Sequence, residues 1–261
     1  MTIQVLVATM NQQDYSLLEK MNIQSDAIIG NQCEKNEITE FDYNGNKIKW
    51  LSFAARGVGL NRNNTLMRAT ADICVLADDD VVYVDGYEKI ILDYYESNPK
   101  ADVVVFNFKV SRNGGNYVNI VTKNEKLNWR KILKFGTYAI TAKSEKLMMA
   151  NILFHRAFGG GCKYSCGEDT LFLNECVKKG LKIYSCSSEL GTVTHGYSTW
   201  FNGYTDKYFF DKGVLYSCLY KNMTGIMCFY HCFKHRKKYK EYGWFKGYKM
   251  MVNGVKSSKC N

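Results

Sequence analysis

The stretch ICVLADDDVVY, residues 73–83, decides the fold, because two short apolar runs enclose three consecutive aspartates. The first run predicts a buried strand. In an extended segment Asp78 and Asp80 point to one side and Asp79 to the other. The triplet has two interpretations, a solvated turn or a cation site. Mg²⁺ fits the second, since it is often held by one or two carboxylates while substrate phosphates complete its shell.

Short apolar runs alternate with helical patterns on both sides of this stretch. Strands separated by helices indicate right-handed crossovers, so we predict an α/β fold with a mostly parallel, Rossmann-like sheet and helices on both faces. Ligands bind such sheets at the carboxyl ends of the strands, which is where the aspartates stand. Strands are predicted at residues 3–9, 26–30, 47–53, 72–77 and 102–110, and helices at 15–21, 60–70 and 86–95.

The second half of the chain is less regular. NGGNYVNIV, residues 113–121, predicts a small antiparallel excursion with its turn at Gly114 and Gly115. We also predict helices near 127–135, after Ser144 and from Glu168 to Gly180, a strand at 181–188, and a helical, aromatic-rich region from Tyr204 onward.

Bulk composition is that of a soluble globular protein. The chain has 261 residues, of which 46% are hydrophobic and 23% charged, enough for one large α/β domain with a real core. No apolar stretch approaches the ~20 residues that span a bilayer. The first residues, MTIQVLVATMNQQDYS, lack the pattern of a signal peptide and predict a strand, so we expect a cytoplasmic protein.

The ten cysteines are scattered, and in such a compartment we expect them to be reduced. One cluster, Cys228, His231, Cys232 and His235, invites a zinc interpretation. Its spacing puts all four groups on one helix, whereas structural zinc sites normally draw on two separate elements. The pattern therefore favours buried cysteines without a metal.

The positive charge is concentrated at the C-terminus. Residues 221–261 contain ten Lys/Arg and one acid, Glu241, and so carry +9 of the formal net charge of +10. Phe, Tyr, Trp and Met are interspersed with these lysines. The segment has two open interpretations: it lies on an anionic membrane surface, or it is a packed helix pair with a solvated basic face.

Two further features carry charge at predicted helix starts. Glu168 and Asp169 open a helix after a glycine-rich loop, where an acid caps the helix or serves as a general base for a substrate hydroxyl. Arg62 lies in the first turn of another helix, where a cation is poorly placed for the dipole. It is either an exposed surface residue or a partner for an anion such as a pyrophosphate.

Together these blocks resemble the family 2 glycosyltransferases with the GT-A fold, especially the bacterial enzymes of capsular and exopolysaccharide synthesis. The resemblance covers roughly residues 3–217 and depends on the order of its motifs. The matching segments are VLVATMNQ at 5–12, GVGLNRNNTLMRATADICVLADDD at 57–80, FGGGCKYSCGEDTLFL at 158–173 and STWFNGYTDKYFFDKG at 198–213.

The resemblance implies a role for each matched residue. Asp169 would be the catalytic base, with Glu168 orienting the acceptor or the base. Mg²⁺ or Mn²⁺ bridging the donor diphosphate would be coordinated by Asp80, with Asp78 nearby and His195 completing the shell. The residues assigned to the nucleotide sugar are Thr9, Asn11, Asn31, Arg62, Asp78 and Asp79.

One departure concerns the second strand, which in the family commonly ends in an acidic stretch. Here it ends in Asn31 and Gln32, with no acid before Glu34. An amide still pairs with a pyrimidine as donor and acceptor. The prediction that the chain binds a nucleotide therefore stands, while the prediction that its base is uracil is weakened.

The implied function is metal-dependent, inverting transfer of a sugar from a nucleotide-diphospho-sugar, UDP-linked by resemblance, to a glycan acceptor carried on a polyprenyl diphosphate. A glycosyltransferase domain would span 1–217, with a nucleotide half over about 1–112 and an acceptor half over about 113–217, followed by a basic extension at 218–261. The enzyme would be peripheral at the inner face of the cell membrane. No nucleic acid is expected as a partner.

Two alternatives remain. A nucleic-acid-binding protein would use the basic C-terminus for phosphate contacts and stacking, but it leaves the carboxylates unexplained. A sugar nucleotidyltransferase would also be α/β and metal-dependent, but the glycine-rich basic loop expected after VLVAT is missing.

Overall fold

Eleven strands form one mixed sheet in the computed structural model, which describes residues 1–112, 115–195 and 203–258. The strands nearest the centre are almost wholly apolar, as expected for strands covered on both faces. The strands are β1 (Ile3–Met10), β2 (Asp26–Gln32), β3 (Glu37–Tyr43), β4 (Asn46–Phe53), β5 (Ile73–Asp78), β6 (Val81–Tyr83), β7 (Val103–Arg112), β8 (Val118–Asn119), β9 (Glu125–Lys126), β10 (Ile140–Lys143) and β11 (Ile183–His195).

The order of the strands across the sheet is β3-β4-β2-β1-β5-β10-β7-β11-β6, with β8 beside β7 and β9 beside β11. The pairs β4–β2, β2–β1 and β1–β5 are parallel. The chain moves outward from β1 to β2 and β4, then crosses back to place β5 on the other side of β1. The topological switch point therefore lies between β1 and β5, and a ligand crevice is expected at their carboxyl ends.

The helices of the described residues complete the α/β fold predicted from the sequence, which is confirmed. None of them is both long and apolar enough to cross a bilayer. They are α1 (Leu17–Lys20), α2 (Val58–Leu66), α3 (Tyr87–Ser97), α4 (Ser144–Met149), α5 (Glu168–Lys178), α6 (Asp206–Tyr220), α7 (Thr224–Lys234) and α8 (Trp244–Ser257).

The predicted antiparallel excursion is present as β8, which pairs antiparallel with β7, although Gly114 of its predicted turn lies outside the described residues. The helix predicted near 127–135 is wrong, since only a 3₁₀ turn forms at Lys131–Lys134. The Asn128 side chain accepts hydrogen bonds from the backbone N–H groups of Arg130 (3.0 Å) and Lys131 (3.2 Å). Such local bonds compete with an α-helical ladder.

Contacts divide the chain into two compact units, each with its own core. The first consists of Met1–Arg156 and Glu168–Tyr197, and its core is built from the sheet and the helices on it. The second consists of Ala157–Gly167 and Ser198–Asn261. The functional division at 217/218 remains a prediction.

The core of the second unit is small and rich in aromatic residues. It is built around the buried side chains of Phe209, Cys228, Cys232, Tyr239 and Met251. Residues of α6, α7 and α8 supply most of it, and the segment between α7 and α8 supplies Tyr239. The C-terminal segment is therefore a packed helical assembly with an internal face.

Candidate functional site

The ends of β1 and β5 meet at the switch point and bring the first predicted residues together. Ala8 and Asp78 are partners in the parallel register, so the residues after them leave the sheet side by side. The Thr9 hydroxyl donates to Asp79 Oδ2 at 2.6 Å, and the Gln12 amide donates to Thr9 Oγ1 at 2.8 Å. Thr9 and Asp79, both predicted to bind the donor, thus tie the two strand ends to each other.

Helix α2 docks against this edge through polar side chains instead of an apolar stripe. It begins after Gly57, whose φ of 118° favours glycine and whose N–H donates to Gln32 Oε1 at 2.7 Å. The Asn61 amide donates to the carbonyls of Gly30 (2.7 Å) and Thr9 (3.2 Å). These bonds fix α2 on the carboxyl ends of β1 and β2.

Arg62 joins the two acidic blocks that the sequence places far apart. Its Nη2 donates to Asp78 Oδ1 at 2.5 Å and its Nη1 to Glu168 Oε1 at 2.9 Å, and the side chain is only 6% exposed. Burial by itself would lower the pKa of Arg62, but the negative charges of Asp78 and Glu168 raise it by a larger amount. The net shift of the pKa is upward, so the guanidinium stays charged. An exposed surface arginine is excluded.

An aromatic wall backs this ion-pair cluster. The Arg62 guanidinium lies 5.3 Å from the ring centroid of Phe154, which stacks on Phe172 of α5 at 4.3 Å. The Asn63 side chain holds the Phe154 backbone in place by accepting from its N–H at 2.7 Å and donating to its carbonyl at 2.9 Å. The low-dielectric surroundings strengthen the attraction between the charges.

Asp169 has the properties of a group that exchanges protons near neutral pH. Burial and the nearby charge of Glu168 raise the pKa of Asp169 to about 6. Its Oδ1 accepts from the backbone N–H of Thr170 at 2.6 Å, which partly offsets the rise. Burial likewise raises the pKa of Asp78, against the pull of Arg62. A carboxyl group with such a pKa can both accept and release a proton near physiological pH.

The aspartate triplet fits a magnesium or manganese ion in the type of its donor atoms, because both cations prefer carboxylate oxygen. Within the described ranges, no group of three or more carboxylate, imidazole or thiol side chains is arranged to hold a metal. Asp78 is engaged by Arg62 and Asp79 by Thr9. The His195 side chain, predicted as a ligand, lies outside the described part of the chain.

Asn31 and Asn11 shape the loop that follows β1. Asn31 is buried, and its amide accepts from the Gln12 N–H and donates to the Gln12 carbonyl, both at 3.0 Å. Asn11 adopts a left-handed conformation with φ of 55°, and its N–H donates to the Gln32 carbonyl at 2.9 Å. Asn31 therefore clamps the loop, and Asn11 lies exposed within it.

The residues that sequence reasoning missed are the buried amides Asn61, Asn63 and Gln32. For Asn61 and Asn63 the signal was the run NRNNT within a predicted helix beside a sheet, where apolar residues are expected. Buried side-chain amides of this kind are hydrogen-bonded to backbone, as these are.

The cysteine–histidine cluster of α7 has another use. Tyr216 and Tyr239 each hydrogen-bond one ring nitrogen of His231, at 2.9 and 2.8 Å. Burial and the neighbouring lysines lower the pKa of His231 to about 3, so the ring is neutral. Cys228 and Cys232 are buried in the core of the second unit. Both ring nitrogens of His231 are therefore hydrogen-bonded, and neither is left for a metal.

The strand order, with the switch point between β1 and β5, gives the chain the GT-A fold. Solved structures of Staphylococcus aureus TarS are similar to it at low sequence identity. The TarS 1–349 structure aligns with a TM-score of 0.64 and 13% identity, covering 100% of this chain and 93% of that one. This likeness concerns the fold.

Two ligand-bound TarS structures give the same result. The complex with UDP-GlcNAc has a TM-score of 0.61 at 16% identity and the complex with UDP 0.59 at 15%, each covering 84% of this chain. The chain spans 66% and 65% of the length of those two structures. No protein-family model and no curated protein matches the sequence.

Proposed function

We propose that the chain is a glycosyltransferase that moves a sugar from a nucleotide-diphospho-sugar to a hydroxyl of a glycan acceptor, with inversion at the anomeric carbon. The donor is UDP-linked, and the acceptor is a lipid-linked glycan of capsular or exopolysaccharide type. The GT-A fold supports this class of reaction, and the TarS complexes with UDP-GlcNAc and UDP support the choice of donor.

The observation that carries the proposal is the ion-pair cluster of Arg62. It joins Asp78 and Glu168, which are 16 and 106 residues away in the sequence, into one site at the carboxyl edge of the sheet. A solvated turn of aspartates needs no buried arginine, and a structural helix cap needs no strand-end carboxylate beside it. A site that binds a diphosphate and activates a hydroxyl uses both a strand-end carboxylate and a second acidic block beside it.

In the proposed reaction, the Asp169 carboxylate removes the proton of the acceptor hydroxyl as that oxygen attacks the anomeric carbon. The bond from this carbon to the diphosphate oxygen breaks on the opposite face, and the diphosphate leaves with the electron pair. The transition state has oxocarbenium character, as in glycoside hydrolysis. The negative charge of Glu168, which Arg62 holds in place, raises the pKa of Asp169 and so makes Asp169 a better proton acceptor.

A divalent cation, Mg²⁺ or Mn²⁺, belongs to this proposal. Asp80 would hold it, with Asp78 and His195 as further candidates and the donor phosphates completing the shell. When bound, it stabilises negative charge on the leaving diphosphate. Thr9 and Asn11 would border the nucleoside at the end of β1, while Asn31 keeps their loop in place.

The test is a screen of nucleotide sugars for thermal stabilisation with and without Mg²⁺ or Mn²⁺, because a ligand that binds only the native state raises Tm. We expect UDP-sugars with a metal to stabilise the wild-type chain and Asp93→Asn, an exposed acid of α3. Asp80→Asn should lose this effect and the transfer activity. Asp169→Asn should retain the shift and lose transfer.

Three results would each overturn one part of the proposal. The donor class is wrong if no nucleotide sugar shifts the melting temperature with either cation. The base assignment is wrong if Asp169→Asn transfers sugar at the wild-type rate. The metal assignment is wrong if wild type and Asp80→Asn show equal metal-dependent shifts of Tm, because Asp80 would then not be a metal ligand.

A further inference from the structure

Helix α7 presents a continuous apolar stripe to the surface. Ile226, Phe229, Tyr230 and Phe233 are 67%, 45%, 53% and 46% exposed. Their spacing of i, i+3, i+4 and i+7 puts them on one side of the helix. The opposite side, with Cys228 and Cys232, is packed into the core of the second unit. The helix therefore has apolar residues on two sides, of which one is packed against the core and the other is exposed.

The stripe continues onto α8 through ring contacts. The Phe229 centroid lies 6.1 Å from that of Trp244 and 5.6 Å from that of Tyr248, and Phe233 lies 5.9 Å from Trp244. Beyond Trp244, Phe245 is again exposed. We call this surface the aromatic face, consisting of Met223, Ile226, Phe229, Tyr230, Phe233 and Phe245.

Cations surround the aromatic face. The Lys234 ammonium lies 5.6 Å from the ring centroid of Tyr230, the Arg236 guanidinium 4.6 Å from that of Phe233, and the Lys249 ammonium 4.9 Å from that of Phe245. The segment 221–261 as a whole carries ten basic residues and one acid. The surface thus combines exposed apolar rings with a positive rim.

We propose that the aromatic face docks on an anionic lipid bilayer, with α7 lying in the plane of the interface. The rings and Ile226 would enter the boundary between headgroups and acyl chains, while Lys234, Arg236 and Lys249 contact lipid phosphates. A helix with apolar and aromatic residues on one side and lysine or arginine at its borders binds in this way. The proposal is independent of the transfer reaction.

Charge complementarity favours lipid over a second copy of the chain. A symmetric dimer through this face would bring two segments of net charge +9 together, and like charges across an interface are unfavourable. An anionic bilayer neutralises the same charge and covers the apolar stripe at once. A nucleic acid would neutralise the rim but leave aliphatic Ile226 and Met223 exposed.

The test is co-flotation of the full-length chain with phosphatidylcholine vesicles, with and without phosphatidylglycerol. We expect binding only to the anionic vesicles, weakened by salt. The double variant Ile226→Ser/Phe233→Ser should lower the apparent affinity about tenfold or more, because it removes inserted apolar surface. The matched control is Ile38→Ser/Trp129→Ser, since those side chains are 59% and 45% exposed in the first unit.

Ile226→Ser alone guards against a folding defect, because this side chain is 67% exposed. It should weaken binding with an unchanged circular dichroism spectrum. The proposal is overturned if the wild type ignores anionic vesicles or if both double variants bind as it does. It is also overturned if size-exclusion chromatography finds a dimer that Ile226→Ser/Phe233→Ser dissociates. Capture by single-stranded RNA that vesicles fail to displace would overturn it in favour of nucleic acid.

Discussion

At the scale of single residues, Arg62 holds together groups that would otherwise repel. Asp78 and Glu168 are both partly shielded from water, and Asp169 lies next to Glu168 with a pKa raised by burial and by that neighbour's charge. One guanidinium with a forked, planar array of donors satisfies two carboxylates at once, which a lysine ammonium does less well. The negative charge needed at the site is thus kept compatible with folding.

We therefore expect Arg62→Gln to destabilise the protein by about 3 kcal/mol or more at neutral pH, since breaking a buried ion pair leaves an uncompensated charge. The measurement is urea unfolding followed by circular dichroism. Arg68→Gln is the matched control, because among the described residues Arg68 donates to Asn64 alone, whose carbonyl is 3.0 Å away. Its effect should stay within about 0.5 kcal/mol. Equal stability of the two variants would contradict this account of Arg62.

The pKa of Asp169 predicts how activity depends on pH. A base must be ionised, and because the pKa is raised to about 6, transfer should fall about tenfold per pH unit below that value. Glu168→Gln removes a neighbouring negative charge and leaves the charge of Arg62 less compensated. Both changes lower the pKa of Asp169, so the acid limb of kcat/KM should move to lower pH.

The profile is measured with saturating metal and a fixed acceptor. Glu175→Gln, farther along the same helix, is the control and should leave the limb where it is. Burial is the larger cause of the raised pKa, so the shift with Glu168→Gln will be partial. An acid limb that stays at the wild-type position in Glu168→Gln would show that Asp169 is not the titrating base.

The sequence predicts the members of this site better than it predicts their contacts. Asp78, Asp80, Glu168 and Asp169 stood out because each follows a strand or opens a helix. The partners of Arg62 could not be foreseen, since one of them is 106 residues away. The clamp by Asn31 was also missed, because an amide after a strand has the same sequence pattern whether it faces a ligand or its own backbone.

At the scale of elements, local rules succeed where tertiary contacts agree with them. β3 was missed because its residues are mostly exposed, and charges dominate its alternating pattern. Asn44 and Gly45 join β3 to β4 as a two-residue hairpin, with φ of 50° and 83°. This Asn-Gly pair is visible in the sequence, so the turn could have been predicted. Asn-Gly is the strongest short-range hairpin signal. Near 127–135 the sequence pattern predicts a helix that does not form. There the Asn128 side chain accepts hydrogen bonds from backbone N–H groups and competes with the helix.

The pair α6 and α8 depends on glycines for its close approach. A Cβ on Gly213 would lie 2.0 Å from the Met251 carbonyl oxygen, and one on Gly254 would lie 2.1 Å from the Phe210 carbonyl oxygen. Both obstacles are backbone atoms, which cannot rotate away. Alanine at either position must separate the helices and weaken the core of the second unit.

We expect Gly213→Ala and Gly254→Ala each to cost about 1–3 kcal/mol, the usual range for overpacking. Gly225→Ala in α7 is the control, because an added Cβ meets nothing within 4 Å there. It should be neutral or stabilise by up to about 1 kcal/mol, as alanine does in a helix. Thermal unfolding measures all three, and a Gly213→Ala protein as stable as wild type would refute the close packing.

At the scale of the whole molecule, two kinds of surface are kept in separate units. The acidic cluster that we propose for donor and metal lies entirely within Met1–Arg156 and Glu168–Tyr197. The aromatic face and most of the net charge lie within Ala157–Gly167 and Ser198–Asn261. A cation site requires negative side chains, and the rim of the aromatic face requires positive ones. The two groups repel each other's ligands less when they belong to different parts of the chain.

This separation predicts two independent footprints in hydrogen–deuterium exchange. UDP with Mn²⁺ should slow exchange at the ends of β1 and β5 and at the start of α2, where the backbone borders the proposed site. Anionic vesicles should slow exchange in α7 and the first turn of α8 and leave the β1 and β5 peptides unchanged. Asp80→Asn should erase only the first footprint, and Ile226→Ser/Phe233→Ser only the second. A UDP footprint confined to residues 203–258 would move the donor site to the second unit, because protection follows the backbone that a ligand orders.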